Sequence, residues 1–219
     1  MDRSRLEAFS DGVFAVAITL LALNLAVTGP GPGHPSLLRQ LGDHWPAFVA
    51  YVISFFTIGI IWVNHHAFVR NIAVVDRTLL FLNLLLLAFV VAIPFATATM
   101  ADYLTAAGQD AKIATALYAG VFEGMSIGFL VLFEWTLHEG RMHQPVPSGA
   151  RWAVRSRFYV GQIPYLIAIG VAFISPPASV AIVGLVAVYY IFERTPSARS
   201  AGTGTGAFDP GGAQDPRRG

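Results

Sequence analysis

The stretch Arg5–Leu23, RLEAFSDGVFAVAITLLAL, turns almost purely apolar from Gly12 onward. Ser10 and Asp11 stand at the mouth of that run, with Arg5 and Glu7 just ahead. An apolar run of about 20 residues crosses a bilayer core as a helix. A carboxylate there is costly unless it is paired or hydrogen-bonded. Asp11 therefore has two compatible readings. It caps the N-terminus of the helix, where its charge suits the helix dipole, or it ties the helix to a neighbour.

The whole chain is built for the same environment. Of its 219 residues, 55% are hydrophobic and 12% charged, against about 25% charged in soluble domains. This composition marks an integral membrane protein. The absence of cysteine excludes disulfides, thiolate metal sites and thiol nucleophiles. The first apolar run is longer than a signal-peptide core and no small-residue cleavage site follows it, so it is taken as a retained span.

Six candidate spans follow from the apolar runs and their Gly/Pro breaks: Phe9–Val27, Pro46–Phe68, Leu79–Met100, Ala111–Leu137, Phe158–Ile174 and Val180–Phe192. The last is short, and Pro177 suits the first turn of its helix. Pro94 and Pro164 predict kinks within spans three and five. With the N-terminus in the cytoplasm, twelve of the fourteen Lys and Arg residues fall on the inner side, and only Arg39 and Lys112 on the outer. Basic residues favour cytoplasmic loops, so both termini are expected inside. Residues 1–194 form the expected transmembrane domain. From about Thr195 to Gly219 a Gly/Ala/Ser/Pro-rich composition predicts a disordered cytoplasmic tail.

Polar groups cluster toward the inner ends of these spans: Asp11, Asn64, His65, His66, Asn83, Glu134, His138 and Gln162. One layer of mutual hydrogen bonds would account for them together. Asn24 lies outside that layer, and the role of Glu123, deeper in span four, is open. The two histidines suit a ligand or proton-sensing role, or plain packing at the membrane interface. On span one, successive residues turn by about 100°. With Val16 at zero, Leu23 falls near roughly −20°, Leu20 near +40°, Thr19 near −60° and Gly12 near −40°. Asp11 falls on the other side, near roughly −140°. An apolar stripe of this kind, read alone, meets lipid or a packed core. Gly120, Gly124 and Gly128 repeat at four-residue spacing, which permits close helix approach within or between subunits.

Enzyme chemistries find no support. HEGRMH spaces His138 and His143 five apart, where the zinc-protease motif needs four. No phosphate-cradling loop and no basic-aromatic nucleic-acid surface is present. The chain is not expected to be an enzyme.

The R-x-x-x-F-S-D run of Arg5, Phe9, Ser10 and Asp11, followed by an apolar helix with a threonine, resembles the prokaryotic branch of the lysosomal-type potassium channels, the transmembrane protein 175 family. SFFTIGIIWVNHHAF in span two is similar to that family's S-F-x-x-I-x-x-x-W-x-x-H-H segment, with Trp62, His65 and His66 in place. The resemblance implies an all-α homotetramer in the bilayer of a prokaryotic plasma membrane, six helices per subunit, with four first helices around a central potassium pathway. It implies an apolar constriction at Val16, with Leu20 and Leu23 further along, and a hydroxyl ring at Thr19 where K+ pauses. The family's usual constriction residue is Ile or Leu; Val is smaller. Arg5, Phe9, Ser10, Asp11, Trp62, Asn64, His65 and His66 then form a network behind the pore, with Asp11 as a strut. The expected function is passive conduction with a modest preference for potassium over sodium, without a cofactor. A proton-coupled transporter and a non-conducting membrane scaffold are the alternatives.

Overall fold

The computed structural model describes residues 2–29, 31–106, 108–138, 140–143 and 148–192. The tail expected from Thr195 lies outside the described residues, as do Arg194, Arg199, Arg217 and Arg218. The described residues are helical: α1 Arg3–Leu21, extended by a 3-10 turn Ala22–Asn24, then α2 Leu37–Asp43, α3 Trp45–Arg70, α4 Arg77–Tyr103, α5 Gln109–Thr136, α6 Ser148–Ala172 and α7 Pro176–Phe192. Four segments are long and apolar enough to cross a membrane: Arg3–Asn24, Trp45–Arg70, Arg77–Tyr103 and Gln109–Thr136. The apolar parts of the last two helices, Tyr159–Ala172 and Pro176–Phe192, are shorter.

Local chemistry sets the boundaries. Pro46 sits in the first turn of α3, and Pro176 and Pro177 open α7, where a missing N–H costs little. Asp76 caps α4 by accepting a hydrogen bond from the Leu79 amide at 2.8 Å. Pro94 and Pro164 lie inside helices that remain continuous through them.

Two helices, α1 and α6, begin well before the sequence expectation. α1 starts at Arg3, ahead of Phe9, and is followed by its 3-10 turn to Asn24, short of Val27. Asp11 is therefore well inside the helix and caps nothing; the N-cap position is Asp2. The polar first turns stay helical because they have partners. The Arg3 guanidinium donates to the Arg70 carbonyl at the end of α3 (3.0 Å), which satisfies one of that helix's orphan carbonyls. α6 likewise begins at Ser148, well before Phe158. Arg155 in this extension holds Glu134 of α5, with Nε 2.6 Å from one carboxylate oxygen and Nη2 on the other. That carboxylate raises the Arg155 guanidinium further above its ordinary pKa.

α5 sits at the centre of the bundle, packed on α4, α6 and α7, while α1 lies at one edge against α3 and α4. Tyr118, Phe122, Leu86, Ile93 and Met125 are fully buried between them. The Ser54 hydroxyl links α3 to Thr97 of α4 (2.8 Å) and to Tyr118 of α5 (3.0 Å). The glycine repeat works within the subunit. A Cβ on Gly124 would overlap the Phe89 ring, and one on Gly128 would come within 3.1 Å of the Leu86 backbone, both on α4. Gly120 faces open space. Gly124→Ala is therefore expected to cost about 1–3 kcal/mol of subunit stability by overpacking. The check is a lowered melting temperature of the detergent-purified protein.

At the end that carries the α1 N-terminus, the α3–α4 and α5–α6 connections pair. The Ala73 amide donates to the Arg141 carbonyl (2.8 Å) and the His143 amide to the Asn71 carbonyl (2.9 Å). The Arg141 guanidinium lies 3.9 Å over the Trp135 ring. The base of the bundle is thus tied by both backbone and side-chain contacts.

Candidate functional site

α1 has two unlike faces. Leu6, Ser10, Phe14, Ala17 and Leu21 are buried against α3 and α4. On the other side Val16 is 56% exposed, Leu20 39% and Leu23 72%, with Thr19 exposed beside them. The stripe read from helical angles is therefore bare in the single subunit, and burial within the subunit core is ruled out for it. The Thr19 hydroxyl donates to the Val16 carbonyl of its own helix at 2.8 Å. Its proton is committed to the backbone, so its oxygen is free to accept, as a cation ligand must.

The buried face carries two hydrogen-bonded clusters. In the first, the Asn83 amide of α4 bridges the other two helices. Its Nδ2 donates to Ser10 Oγ (3.1 Å), and its Oδ1 lies 2.7 Å from His65 Nε2. Ser10 Oγ in turn donates to the Leu6 carbonyl (2.9 Å). All three side chains are buried, and Phe14 packs on the His65 ring with centroids 5.4 Å apart. Nε2 is a donor here, because the Asn83 oxygen it faces can only accept.

The second cluster lies one helical step around. Trp62 Nε1 donates to Asp11 Oδ1 at 2.8 Å. His66 Nδ1 lies 3.3 Å from Glu7 Oε1 and 3.8 Å from Asp11 Oδ2. It is shielded from solvent and close enough for ion pairing, but lacks a hydrogen bond's alignment. The Trp62 and His66 rings are 5.9 Å apart. Of the expected network, Ser10, Asp11, Trp62, His65 and His66 are therefore engaged. Arg5 and Phe9 are exposed, and Phe9 falls within roughly 20° of the Val16 stripe. Asn64 is half-buried and makes no side-chain hydrogen bond among the described residues.

The single polar layer does not form. Its members separate into the two clusters above, the Glu134–Arg155 pair, Gln162 donating to Ser126 Oγ (2.9 Å), and His138 on the Trp135 carbonyl (3.2 Å). Depth along a span fixes height but not lateral position, and these groups sit on different sides of the bundle. Two participants were not singled out beforehand as site residues. Glu7 is one turn before Asp11 and shares its face. Asn83 is the residue through which Ser10 meets His65. Asn24 lines a cavity of about 190 Å³ with Asp43, His44 and Asp102 at the other end of α1. Glu123 is buried, and its Oε2 has no hydrogen-bond partner among the described residues.

A family model described as endosomal/lysosomal potassium channel TMEM175 matches residues 5–94, the part that holds both clusters and the stripe. A Streptomyces collinus protein named a potassium channel is 44% identical over 197 residues, covering 89% of this chain and 94% of its own length. The chain belongs to the TMEM175 family. A crystal structure of a TMEM175 homolog from Chamaesiphon minutus, titled a lysosomal potassium-selective channel, superposes with a TM-score of 0.74. It shares 34% identity over 86% of this chain and 96% of that one. A chicken TMEM175, named an endosomal/lysosomal proton channel, is 39% identical over 103 residues, 44% of this chain and 21% of its own. Family membership and the apolar helices together make this an integral membrane protein. The TMEM175 match fits the two clusters well: they join α1 to α3 and α4, all within the matched region.

Proposed function

We propose that this chain is one subunit of a homotetrameric, passive potassium channel in a prokaryotic plasma membrane, with four copies of α1 around the conduction path. The observation that carries the proposal is the asymmetry of α1. One face is bonded to α3 and α4 through Ser10, Asp11 and Phe14, while the Val16–Thr19–Leu20–Leu23 face is left exposed by the described residues. The relatives' names supply the ion. Six spans with both termini cytoplasmic fit the charge asymmetry, with α6 and α7 completing the set despite their short apolar parts. The tail from 195 to 219 takes no part in conduction.

In this mechanism the Val16 side chains make an apolar neck that wets or dries with small changes in radius. The Thr19 oxygens replace part of the ion's hydration shell. Potassium sheds water more readily than sodium, so partial desolvation favours it modestly. Asp11, held by Trp62 on the far side of the helix, positions the wall and does not touch the ion. No step requires a cofactor or bond chemistry, and the protein is not an enzyme.

The test is ion flux from liposomes containing the purified protein. Potassium flux down its gradient, exceeding sodium flux and independent of a proton gradient, is expected. Transport that saturates and needs a proton gradient would favour a coupled transporter, and absence of flux would favour a scaffold. A finer expectation concerns Thr19→Val, which removes the oxygen but keeps the shape. It should lower the potassium-over-sodium permeability ratio by roughly two- to tenfold, the worth of about one hydrogen-bond-like contact. An unchanged bi-ionic reversal potential would remove Thr19 from the selectivity mechanism.

A further inference from the structure

We propose that Glu7, Asp11 and His66 form a binding site for a divalent transition metal, with zinc as the best fit, that clips the inner end of α1 to α3. Their ligand atoms all lie within 4.8 Å of one another. Glu7 and Asp11 stand one helical turn apart on α1 and present a carboxylate oxygen each to the same imidazole nitrogen of α3. That nitrogen, His66 Nδ1, is screened from solvent and makes no hydrogen bond.

Three features distinguish this arrangement from an ordinary ion pair. The first is the spacing. Tetrahedral zinc, with ligands about 2.0–2.1 Å away, needs its ligand atoms about 3.3 Å apart. The His66–Glu7 distance is 3.3 Å and the His66–Asp11 distance 3.8 Å, and all three ligand atoms lie within 4.8 Å of one another, so a contraction of about 1.5 Å at most closes the set. The second is orientation. The Trp62 indole N–H holds Asp11 by Oδ1 and leaves Oδ2 turned to His66, the outer support that metal-binding carboxylates commonly have. The third is charge. No lysine or arginine pairs with Glu7 or Asp11 among the described residues, so two carboxylates face one imidazole and a dication would neutralise them. An imidazole nitrogen selects zinc and its neighbours over magnesium and calcium, which prefer oxygen. Three protein ligands leave a fourth position for water. The side chains stay 25–36% exposed, which gives the ion an aqueous entry.

The site does not depend on where potassium passes, so its test stands apart from flux. The purified full-length protein is titrated with micromolar ZnCl2, with MgCl2 as control. The melting temperature is followed, and bound metal is counted after desalting. The expected result is a rise of several degrees with one zinc per subunit, absent with magnesium. Glu7→Gln and His66→Gln should each abolish the rise and the bound zinc. X-ray absorption of the zinc-loaded wild type provides a readout that survives poor folding of a variant. It should show one imidazole nitrogen and oxygens at about 2.0 Å. No rise in the wild type, an equal rise in both variants, or a shell of two or more imidazoles would overturn the proposal.

Discussion

Val16→Ala is expected to raise potassium flux by about tenfold or more, with the protein assembling normally. Valine to alanine removes two methyl groups, and in the proposed tetramer a ring of four multiplies that change at one height. Each buried methylene-sized group is worth about 0.8 kcal/mol of apolar contact. A tenfold rate change needs only about 1.4 kcal/mol. Relief of a small part of the apolar surface at the neck therefore suffices. Val16 is 56% exposed and lies outside the cluster of buried core residues, so folding should be spared. Single-channel conductance or liposome efflux checks this. Unchanged flux in well-folded protein would mean that the narrow point lies elsewhere. A family that commonly has a larger residue here makes the direction informative: Val16→Leu should act oppositely and reduce flux.

Asn83→Leu is expected to act through stability. Asn83 is buried between three helices and satisfies Ser10 of α1 and His65 of α3 at once. Leucine has similar size and removes both contacts. Ser10 keeps its bond to the Leu6 carbonyl, but His65 Nε2 loses the partner the described structure gives it. Hydrogen bonds between membrane helices average only about 0.6 kcal/mol each. An unsatisfied buried polar group costs about 1–3 kcal/mol. The orphaned imidazole should therefore dominate, and the total should be about 2–4 kcal/mol. The expected readouts are a clear fall in melting temperature and a smaller assembled fraction on size-exclusion chromatography. The double variant Asn83→Leu with His65→Leu should recover much of the loss, because the stranded group is gone. Failure of that rescue would mean that the cluster is not acting as the hydrogen-bonded joint described above.

The membrane character, the helix positions of α3, α4 and α5 and the two faces of α1 were legible in the sequence, for different reasons. Apolar runs bounded by Gly, Pro and charged residues fix spans within a few residues. The angle of Val16 relative to Asp11 follows from helix geometry alone, and the structure places them on different faces. The extensions of α1 and α6 were not legible, because their polar turns are held by residues distant in sequence, Arg70 and Glu134. The short α2, Leu37–Asp43, was missed because seven residues between a Gly/Pro break and the next span carry too little periodicity to detect. At the site, the sequence placed Trp62 in the network around Asp11 but did not say which member holds the carboxylate. Choosing it requires the rotation of α3 about its axis, which depends on packing against α4 and α7. The same gap explains why groups at one depth did not join into one layer.

In the proposed channel the Val16–Thr19–Leu23 face of α1 looks onto a water-filled axis. The chain has no cysteine, so a lone Thr19→Cys can be read without background. Applied to liposomes carrying this variant, a membrane-impermeant methanethiosulfonate should react and progressively block potassium flux. No modification by the aqueous reagent, alongside ready labelling by a lipid-soluble maleimide and undisturbed flux, would place that face against acyl chains and remove it from the conduction path.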